Sequence, residues 1–147
     1  MSAPACAVCA EVCDAGGILW ETKSFVLRHA GSPFGACGWL MLCTKAHTAG
    51  AADFSDGEAA SLGPALRAAS AALLAATGAL RVYTAALGEA HKHYHCHLVP
   101  RTADGPAGWA LFAQQGEAAA GRVVVDAERV AEVSAAVKAA LAGVCVD

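Results

Sequence analysis

Apolar residues along the chain fall into short segments separated by polar or glycine-containing breaks, and this pattern predicts strands. Residues 39–44 form a continuous apolar run, which is typical of a buried strand. Turn-forming residues separate the last two segments. The five predicted strands are residues 18–21, 24–28, 39–44, 80–87 and 93–99.

Two longer segments predict helices. Ser55 and Glu58 form a capping-box pattern ahead of a long stretch rich in alanine and leucine. Pro64 lies within this stretch, so we expect the first helical turns to be offset from the main body. Asp126 is expected to cap a last helix over residues 127–142.

Two regions have no clear periodicity and are predicted to be irregular. Residues 1–17 contain a proline and a pair of glycines, and residues 102–121 are rich in glycine. The chain therefore runs through strands, a helix, strands and a helix. This order predicts an α+β fold built on an antiparallel sheet.

Composition narrows the class of protein. The 147 residues suit one domain, and with 56 % hydrophobic and 16 % charged residues the chain is not disordered. A net charge of −3 without a basic block argues against a nucleic-acid partner. The mean hydropathy is +0.45, but the longest uncharged helical stretch, residues 68–80, is too short to cross a bilayer. No membrane partner is expected. Because no signal-peptide pattern is present, we expect a cytoplasmic protein.

The seven cysteines are an odd number, which argues against a closed disulfide framework and favours reduced thiols. Cys6 and Cys9 form a Cys-x-x-Cys pair. The other five are expected to be small buried residues. Three aromatic residues are expected in the core, namely Trp39, Trp109 and Phe112.

Four of the six histidines lie within seven residues, at positions 91, 93, 95 and 97. In a strand, alternate residues share a face, so these imidazoles are expected to project to one side. Neighbours about 6.5–7 Å apart along the strand are too far apart for one zinc ion to bind the whole row. Different histidines should therefore have different roles, the alternative being a histidine-rich metal-binding run on an exposed strand.

Residues 93–101, with the sequence HYHCHLVPR, resemble the signature of the histidine-triad (HIT) superfamily. That signature is His-x-His-x-His followed by two apolar residues and often Pro-Arg. Gly88 lies where the family has its phosphate-binding glycine, and residues 44–47 resemble its Pro-Lys-x-His segment. The N-terminal Cys-x-x-Cys is similar to that of the zinc-containing branch. The likeness spans residues 5–101.

This resemblance implies a single HIT-like domain over residues 1–147. It implies a sheet of about five strands with one long helix, followed by an extension over residues 102–147 with a helix at about 127–142. A homodimer is expected on the same grounds. The resemblance is to the diadenosine tetraphosphate hydrolase-like members, so dinucleoside polyphosphates such as diadenosine tetraphosphate are the leading expected substrates.

The resemblance also assigns roles to the histidines. His95 would attack the α-phosphorus of a nucleotide and form a covalent nucleotidyl-histidine, which water then cleaves. His97 would contact phosphate oxygens and assist proton transfer to the leaving group. Gly88 and the neighbouring Glu89 would lie in the substrate-binding loop, where backbone N–H groups stabilise phosphate charge. His91 lies outside the triad, and solvent exposure is favoured over a substrate contact.

A structural zinc ion is the cofactor that the resemblance implies. Its ligands would be Cys6, Cys9, His47 and His93, a closed set of two cysteines and two histidines. A redox role for the cysteine pair and unligated thiols are the alternatives. Cys13 is a further candidate ligand, although its spacing fits less well.

The chain departs from the family around the phosphate-binding glycine. Glu89 and Ala90 occupy the places of Gln and a hydroxyl residue, and residues 25–30 contain no acidic residue to bind ribose. The triad histidines are intact, and the resemblance implies a hydrolase of nucleotide phosphoanhydride or phosphoramidate bonds. The alternatives are a nucleotidyl transferase and a non-catalytic nucleotide-binding zinc protein.

Overall fold

Five strands form one antiparallel sheet, and helices pack against both of its faces. A computed structural model describes residues 6–30 and 36–146 of the chain. The strands are β1 (Ile18–Glu21), β2 (Phe25–His29), β3 (Leu40–Thr44), β4 (Arg81–Ala85) and β5 (His95–Arg101). The helices are α1 (Ala7–Cys13), α2 (Asp56–Thr77), α3 (Trp109–Ala119) and α4 (Ala127–Leu141). The order of strands across the sheet is β1-β2-β3-β5-β4.

The central strand β3 is buried along its whole length, as its apolar run predicts. Leu40 and Leu42 face the larger core, whereas Met41 and Cys43 face a second, smaller core on the other side of the sheet. Both faces of the sheet are therefore covered. This explains why the run does not alternate between apolar and polar residues.

The larger core lies between the sheet and helices α2 and α4. Leu73 of α2 and Val137 of α4 are fully buried in it. The capping box predicted for α2 is present: Glu58 N–H donates to Ser55 Oγ, and the Glu58 carboxylate accepts from Ser55 N–H. The Asp126 side chain caps α4 by accepting from the backbone N–H groups of Glu128 and Arg129, and this helix ends at Leu141.

The helix α2 runs without a break through Pro64, so the predicted offset of its first turns is wrong. Proline removes one helical hydrogen bond, but burial of Ser61 and Ala65 on either side holds the helix in place. Because its first turns are continuous with the rest, α2 is long and apolar enough to cross a membrane by length and composition alone. Helix length therefore does not exclude a membrane partner, contrary to what the sequence suggested, although one face of α2 is part of the core.

The smaller core lies between the sheet and helices α1 and α3, both in regions predicted to be irregular. Residues 6–17 contain α1 and a 3₁₀ turn, while residues 1–5 lie outside the described part of the chain. Val8 and Val12, one helical turn apart, are buried on this side, and α3 contributes the buried Leu111. Tertiary packing thus stabilises two helices that lack sequence signals of their own.

The strand β5 carries the histidines, and its position in the sheet decides where they point. Met41 pairs with His97 and Cys43 pairs with His95 across the β3–β5 ladder. His95 and His97 therefore share the sheet face that α1 and α3 cover. The strand begins at His95 rather than at residue 93, so His93 lies in the connection before it.

Candidate active site and metal centre

Four cysteine and histidine side chains come together where α1 meets the connections after β3 and before β5. The ligand atoms of Cys6, Cys9, His47 and His93 all lie within 4.8 Å of one another. The distance from Cys9 Sγ is 3.2 Å to His47 Nδ1 and 3.3 Å to His93 Nδ1. Cys6 Sγ lies 3.7 Å from the same His93 nitrogen. Ligands of a tetrahedral zinc ion are separated by about 3.5 Å for sulfur–nitrogen pairs, so the cluster fits zinc.

The buried imidazole of His93 is oriented for metal binding by the backbone. Its Nε2–H donates to the carbonyl oxygen of Thr44 at 2.8 Å, which leaves the lone pair on Nδ1 facing the two thiols. Burial, the largest cause, lowers the pKa of His93 and so keeps the imidazole neutral. A neutral imidazole is the form that binds a metal ion.

The surroundings of Cys9 in the cluster disfavour its thiolate form. Desolvation raises its pKa, and the neighbouring Cys6 thiol raises it further. Two adjacent thiolates repel each other, whereas a divalent cation between them favours both thiolates. Without a metal ion the raised pKa favours the neutral thiol of Cys9, so its deprotonation would depend on a bound cation.

Neighbouring contacts fix the segments that carry these ligands. The Arg28 guanidinium of β2 donates to the carbonyl of Glu11 in α1. Lys45, two residues before His47, forms an ion pair with Glu21 at 2.7 Å. The predicted Lys-x-His segment thus lies at the end of β3, with its lysine turned away from the cluster.

His95 lies beside a cavity of about 330 Å³ on the α1–α3 side of the sheet. Its Nδ1–H donates to the carbonyl oxygen of His93 at 2.7 Å. A carbonyl can only accept, so the proton is on Nδ1 and the lone pair is on Nε2. The hydrogen bond therefore fixes the tautomer in which the outer ring nitrogen is nucleophilic.

The imidazole of His97 lies next to that of His95, with the ring centroids 5.3 Å apart. Trp39 Nε1–H donates to His97 Nδ1 at 3.0 Å, in a buried contact. Burial is the first cause that lowers the pKa of His97 to about 4, and the neighbouring His95 is the second. His97 is consequently neutral at physiological pH.

The cavity combines groups from α1, β3, the β4–β5 connection, β5 and α3. Gly88 has a φ of +68°, so the bend of this connection requires a glycine. Glu89 and Glu11 bring two carboxylates to the wall. The lining residues are Val8, Glu11, Met41, Leu87, Gly88, Glu89, Ala90, His91, His95, His97 and Gln115.

Neither a protein-family model nor a curated protein sequence matches the chain. Solved structures do. A Zn-bound histidine triad family protein from Mycobacterium smegmatis is 24 % identical with a TM-score of 0.70, the match covering 94 % of each chain. A Hit-like protein involved in cell-cycle regulation from Bartonella henselae is 16 % identical with a TM-score of 0.64, over 85 % of this chain and 86 % of that one.

A HIT family protein from Bacillus subtilis is also similar, with 18 % identity and a TM-score of 0.60 over 83 % of this chain and 99 % of its own. The chain has the HIT fold. The predicted α+β class, with an antiparallel sheet of five strands, is therefore confirmed.

The HIT fold brings the predicted site residues into two adjoining groups rather than one row. The four predicted metal ligands form the cluster, and the remaining predicted residues, Gly88, Glu89, His95 and His97, line the cavity. His91 is exposed, as predicted, and it also borders the cavity. Cys13 is exposed and is not part of the cluster.

Several expectations about single residues outside the triad are corrected. Trp109 is 78 % exposed rather than part of the core, because it is the first residue of α3 and points away from the sheet. Phe112, one turn later, is half-buried and packs edge-to-face on Trp39. Cys13 and Cys145 are exposed, whereas Cys43 and Cys96 are buried as predicted.

Sequence reasoning missed the contributions of α1 and α3 to the cavity, and the hydrogen bond from Trp39. Val8 and Glu11 line the cavity because α1 lies across this face, while Gln115 comes from α3. Trp39 is buried as predicted, but its indole N–H also bonds to a triad histidine. The sequence pattern of a tryptophan in an apolar run does not show whether it only packs in the core or also donates a hydrogen bond to a site residue.

Proposed function

We propose that this protein hydrolyses nucleotide phosphoanhydride or phosphoramidate bonds through His95. The observation that carries the proposal is the hydrogen bond from His95 Nδ1–H to the His93 carbonyl, which leaves the Nε2 lone pair of a cavity-lining imidazole available. The similarity to HIT structures supports the same reading.

The proposed reaction has two steps. In the first, the His95 Nε2 lone pair attacks the α-phosphorus, and the bond to the leaving group breaks with its electron pair. In the second, water attacks phosphorus and releases one proton to solvent, and the electron pair of the N–P bond returns to His95 as the nucleoside monophosphate is released. Throughout, the His93 carbonyl accepts from Nδ1–H and stabilises the positive charge of the substituted ring.

The rest of the cavity is proposed to hold the phosphate. Gly88 brings the backbone close to the α-phosphate, and His97 donates a hydrogen bond to one of its oxygens. Ala90 offers no hydroxyl donor, and the carboxylates of Glu11 and Glu89 repel a long polyphosphate chain. These features favour a substrate with little negative charge beyond the α-phosphate over an extended polyphosphate.

We also propose that Cys6, Cys9, His47 and His93 bind a structural zinc ion. With four protein ligands, such an ion stabilises folded structure and has no open position for substrate. These ligands join α1 to the connection before β5. The same connection supplies the carbonyl that orients His95, so the cluster supports the nucleophile.

The test compares the wild-type protein with His95→Ala on a panel of dinucleoside polyphosphates and nucleoside phosphoramidates, with nucleoside monophosphate release as the measurement. Cys96→Ala is the matched control because Cys96 lies on the same strand and faces the opposite core. We expect turnover by the wild type and the control, and a loss of at least about a thousandfold in His95→Ala.

An alkaline quench of the reacting wild type should retain a nucleotidyl adduct on the peptide that contains His95. Equal turnover by His95→Ala would refute the proposal. If the zinc-loaded wild type binds nucleotide without turnover, the protein is a binding module. If product forms only when a second phosphate compound is added, it is a transferase.

A further inference from the structure

Trp39 holds the cavity-lining His97 from behind through a buried hydrogen bond. Trp39 is 1 % exposed and lies immediately before β3, directly after Gly38, whose φ is +81°. Its ring is perpendicular to that of His97, with the centroids 5.9 Å apart and an interplanar angle of 90°. Phe112 of α3 packs on the same indole at 5.9 Å, so its position is fixed from both sides.

This contact determines which ring nitrogen of His97 carries the proton. An indole N–H is a donor and cannot accept, so His97 Nδ1 must accept at 3.0 Å. A neutral imidazole has one ring proton, which is therefore on Nε2. Protonating Nδ1 would set two N–H groups against each other and break the bond in a buried site.

We propose that Trp39 is a positioning residue that holds His97 as a neutral Nε2–H donor, and that His97 consequently binds a phosphate oxygen but does not protonate the leaving group. The inference rests on the proposed hydrolase function and refines its substrate class. Substrates whose leaving group departs as a stable anion should turn over efficiently. Substrates whose leaving group needs a proton, such as simple alkyl esters and phosphoramidates of alkyl amines, should not. Within the proposed function, the inference therefore favours phosphoanhydrides over phosphoramidates.

The proton balance of the first step leads to this restriction. The bond from phosphorus to the leaving group breaks, and the leaving group takes the electron pair as an anion. A neutral His97 could supply a proton only by becoming an imidazolate, which is far too basic to form at neutral pH. The anion is therefore protonated later by solvent, and its intrinsic stability enters the barrier in full.

The other ionisable side chains that line the cavity do not replace this missing acid in the proposed arrangement. On β5, His95 is the nucleophile. Glu11 from α1 and Glu89 and His91 from the β4–β5 connection are all exposed to solvent. General acid catalysis needs a proton donor that is held in position at the leaving group, and an exposed side chain is poorly constrained for this. An exposed group could still deliver a proton. His91→Ala tests whether the exposed imidazole supplies one.

The first experiment reads the tautomer directly. Long-range ¹H–¹⁵N correlation spectra of the imidazoles are recorded at pH 7 for the zinc-loaded wild type, with His97→Asn used to assign the His97 signals. We expect the pattern of an imidazole protonated on Nε2 alone. A His97 that is protonated on Nδ1, or on both nitrogens, would overturn the inference, and this result does not depend on turnover.

Variants then test whether Trp39 is what fixes the tautomer of His97. Trp39→Phe removes the donor, and Trp39→His offers an imidazole N–H in its place. The matched control is Trp20→Phe, since the Trp20 indole N–H donates to the Val144 carbonyl at 3.1 Å and borders the larger core instead. We expect the fixed tautomer to be lost in Trp39→Phe, regained in Trp39→His and unchanged in Trp20→Phe. An unchanged His97 pattern in a folded Trp39→Phe would overturn the inference.

The second experiment measures kcat/KM for a series of aryl esters of AMP whose leaving phenols span a range of pKa values. For the wild type we expect kcat/KM to fall about tenfold for each unit of leaving-group pKa, because the leaving group receives no proton. At pH 6, Trp39→Phe should show a shallower dependence of about threefold for each unit. The His91→Ala and Trp20→Phe proteins should retain the wild-type dependence.

A shallow dependence in the wild type would overturn the inference even though the proposed hydrolase function stands. A steep dependence that Trp39→Phe retains would remove Trp39 from the explanation and overturn it as well. Failure of the hydrolase proposal is recognised separately, by the absence of turnover for every ester. In that case the tautomer measured by NMR still decides whether Trp39 positions His97.

Discussion

The buried His97 makes the stability of the fold sensitive to acid, and the effect can be isolated with a single substitution. His97 is 9 % exposed, and burial followed by the neighbouring His95 lowers its pKa from 6.5 to about 4. The imidazole therefore binds a proton more readily in the unfolded chain than in the folded one. Its contribution to stability is fully present above pH 6.5 and is lost as the pH falls toward 4.

The magnitude follows from the same two values. Lowering the pKa from 6.5 to about 4, at about 1.36 kcal/mol for each pH unit, gives a limit of about 3 kcal/mol. At pH 5 the unfolded imidazole is almost fully charged while the folded one is still mostly neutral. The free energy of unfolding should therefore drop by about 2 kcal/mol between pH 7 and pH 5 on account of His97 alone.

The assay is urea unfolding of the wild type and of His97→Asn at pH 7, 6 and 5, with both proteins treated with a chelator. The asparagine carbonyl oxygen can still accept from Trp39 Nε1–H, but it does not titrate. Other titrating groups, such as the half-buried His29 with its lowered pKa, are common to both proteins and cancel in the difference.

We expect the stability of His97→Asn relative to the wild type to rise by about 2 kcal/mol from pH 7 to pH 5. A difference that is independent of pH would mean that His97 titrates alike in the folded and unfolded chains. The burial argument, and with it the neutral His97, would then be refuted.

Two further predictions concern the metal cluster and the approach to Trp39. Cys9→Ser should abolish tight zinc binding, as measured by mass spectrometry of the metal, and should lower Tm by about 10 °C. The control is Cys13→Ser, four residues along the same helix, which should change neither the zinc content nor Tm. Gly38→Ala should lower the free energy of unfolding by about 1–3 kcal/mol, as measured by urea unfolding. The reason is that φ is +81° and the new Cβ would lie 3.1 Å from Leu73 Cδ1. A change below about 0.5 kcal/mol would contradict the assigned backbone conformation.

The sequence predicted the elements whose signals are local. The strand β3 is predicted by its own apolar run, and helices α2 and α4 are predicted by their capping residues Ser55 and Asp126. Helices α1 and α3 carry no such signal: neither has a side-chain N-cap hydrogen bond, and glycines surround α3. They are stabilised by burying Val8, Val12 and Leu111 against the sheet, which is a tertiary effect.

The sequence predicted which residues form the candidate site but not how they are arranged in space. Spacing and resemblance pick out the residues that form the metal cluster and the cavity wall. Strand alternation alone placed His93 in the same row as His95 and His97. The structure starts β5 at His95, which frees the His93 ring to turn toward the cysteines. Pairing with β3 decides where the strand begins, and no local pattern reveals it.

The three triad histidines also show why residue type alone could not assign their roles. The Thr44 carbonyl accepts from His93 Nε2–H, so Nδ1 is left for the metal cluster. The His93 carbonyl accepts from His95 Nδ1–H, so the Nε2 lone pair is left for nucleophilic attack. Trp39 donates to His97 Nδ1, so the proton of the neutral His97 ring is on Nε2. One fixed hydrogen-bond partner for each ring thus suits three identical side chains to the three proposed roles of ligand, nucleophile and donor. Changing that partner should change the role while the histidine stays.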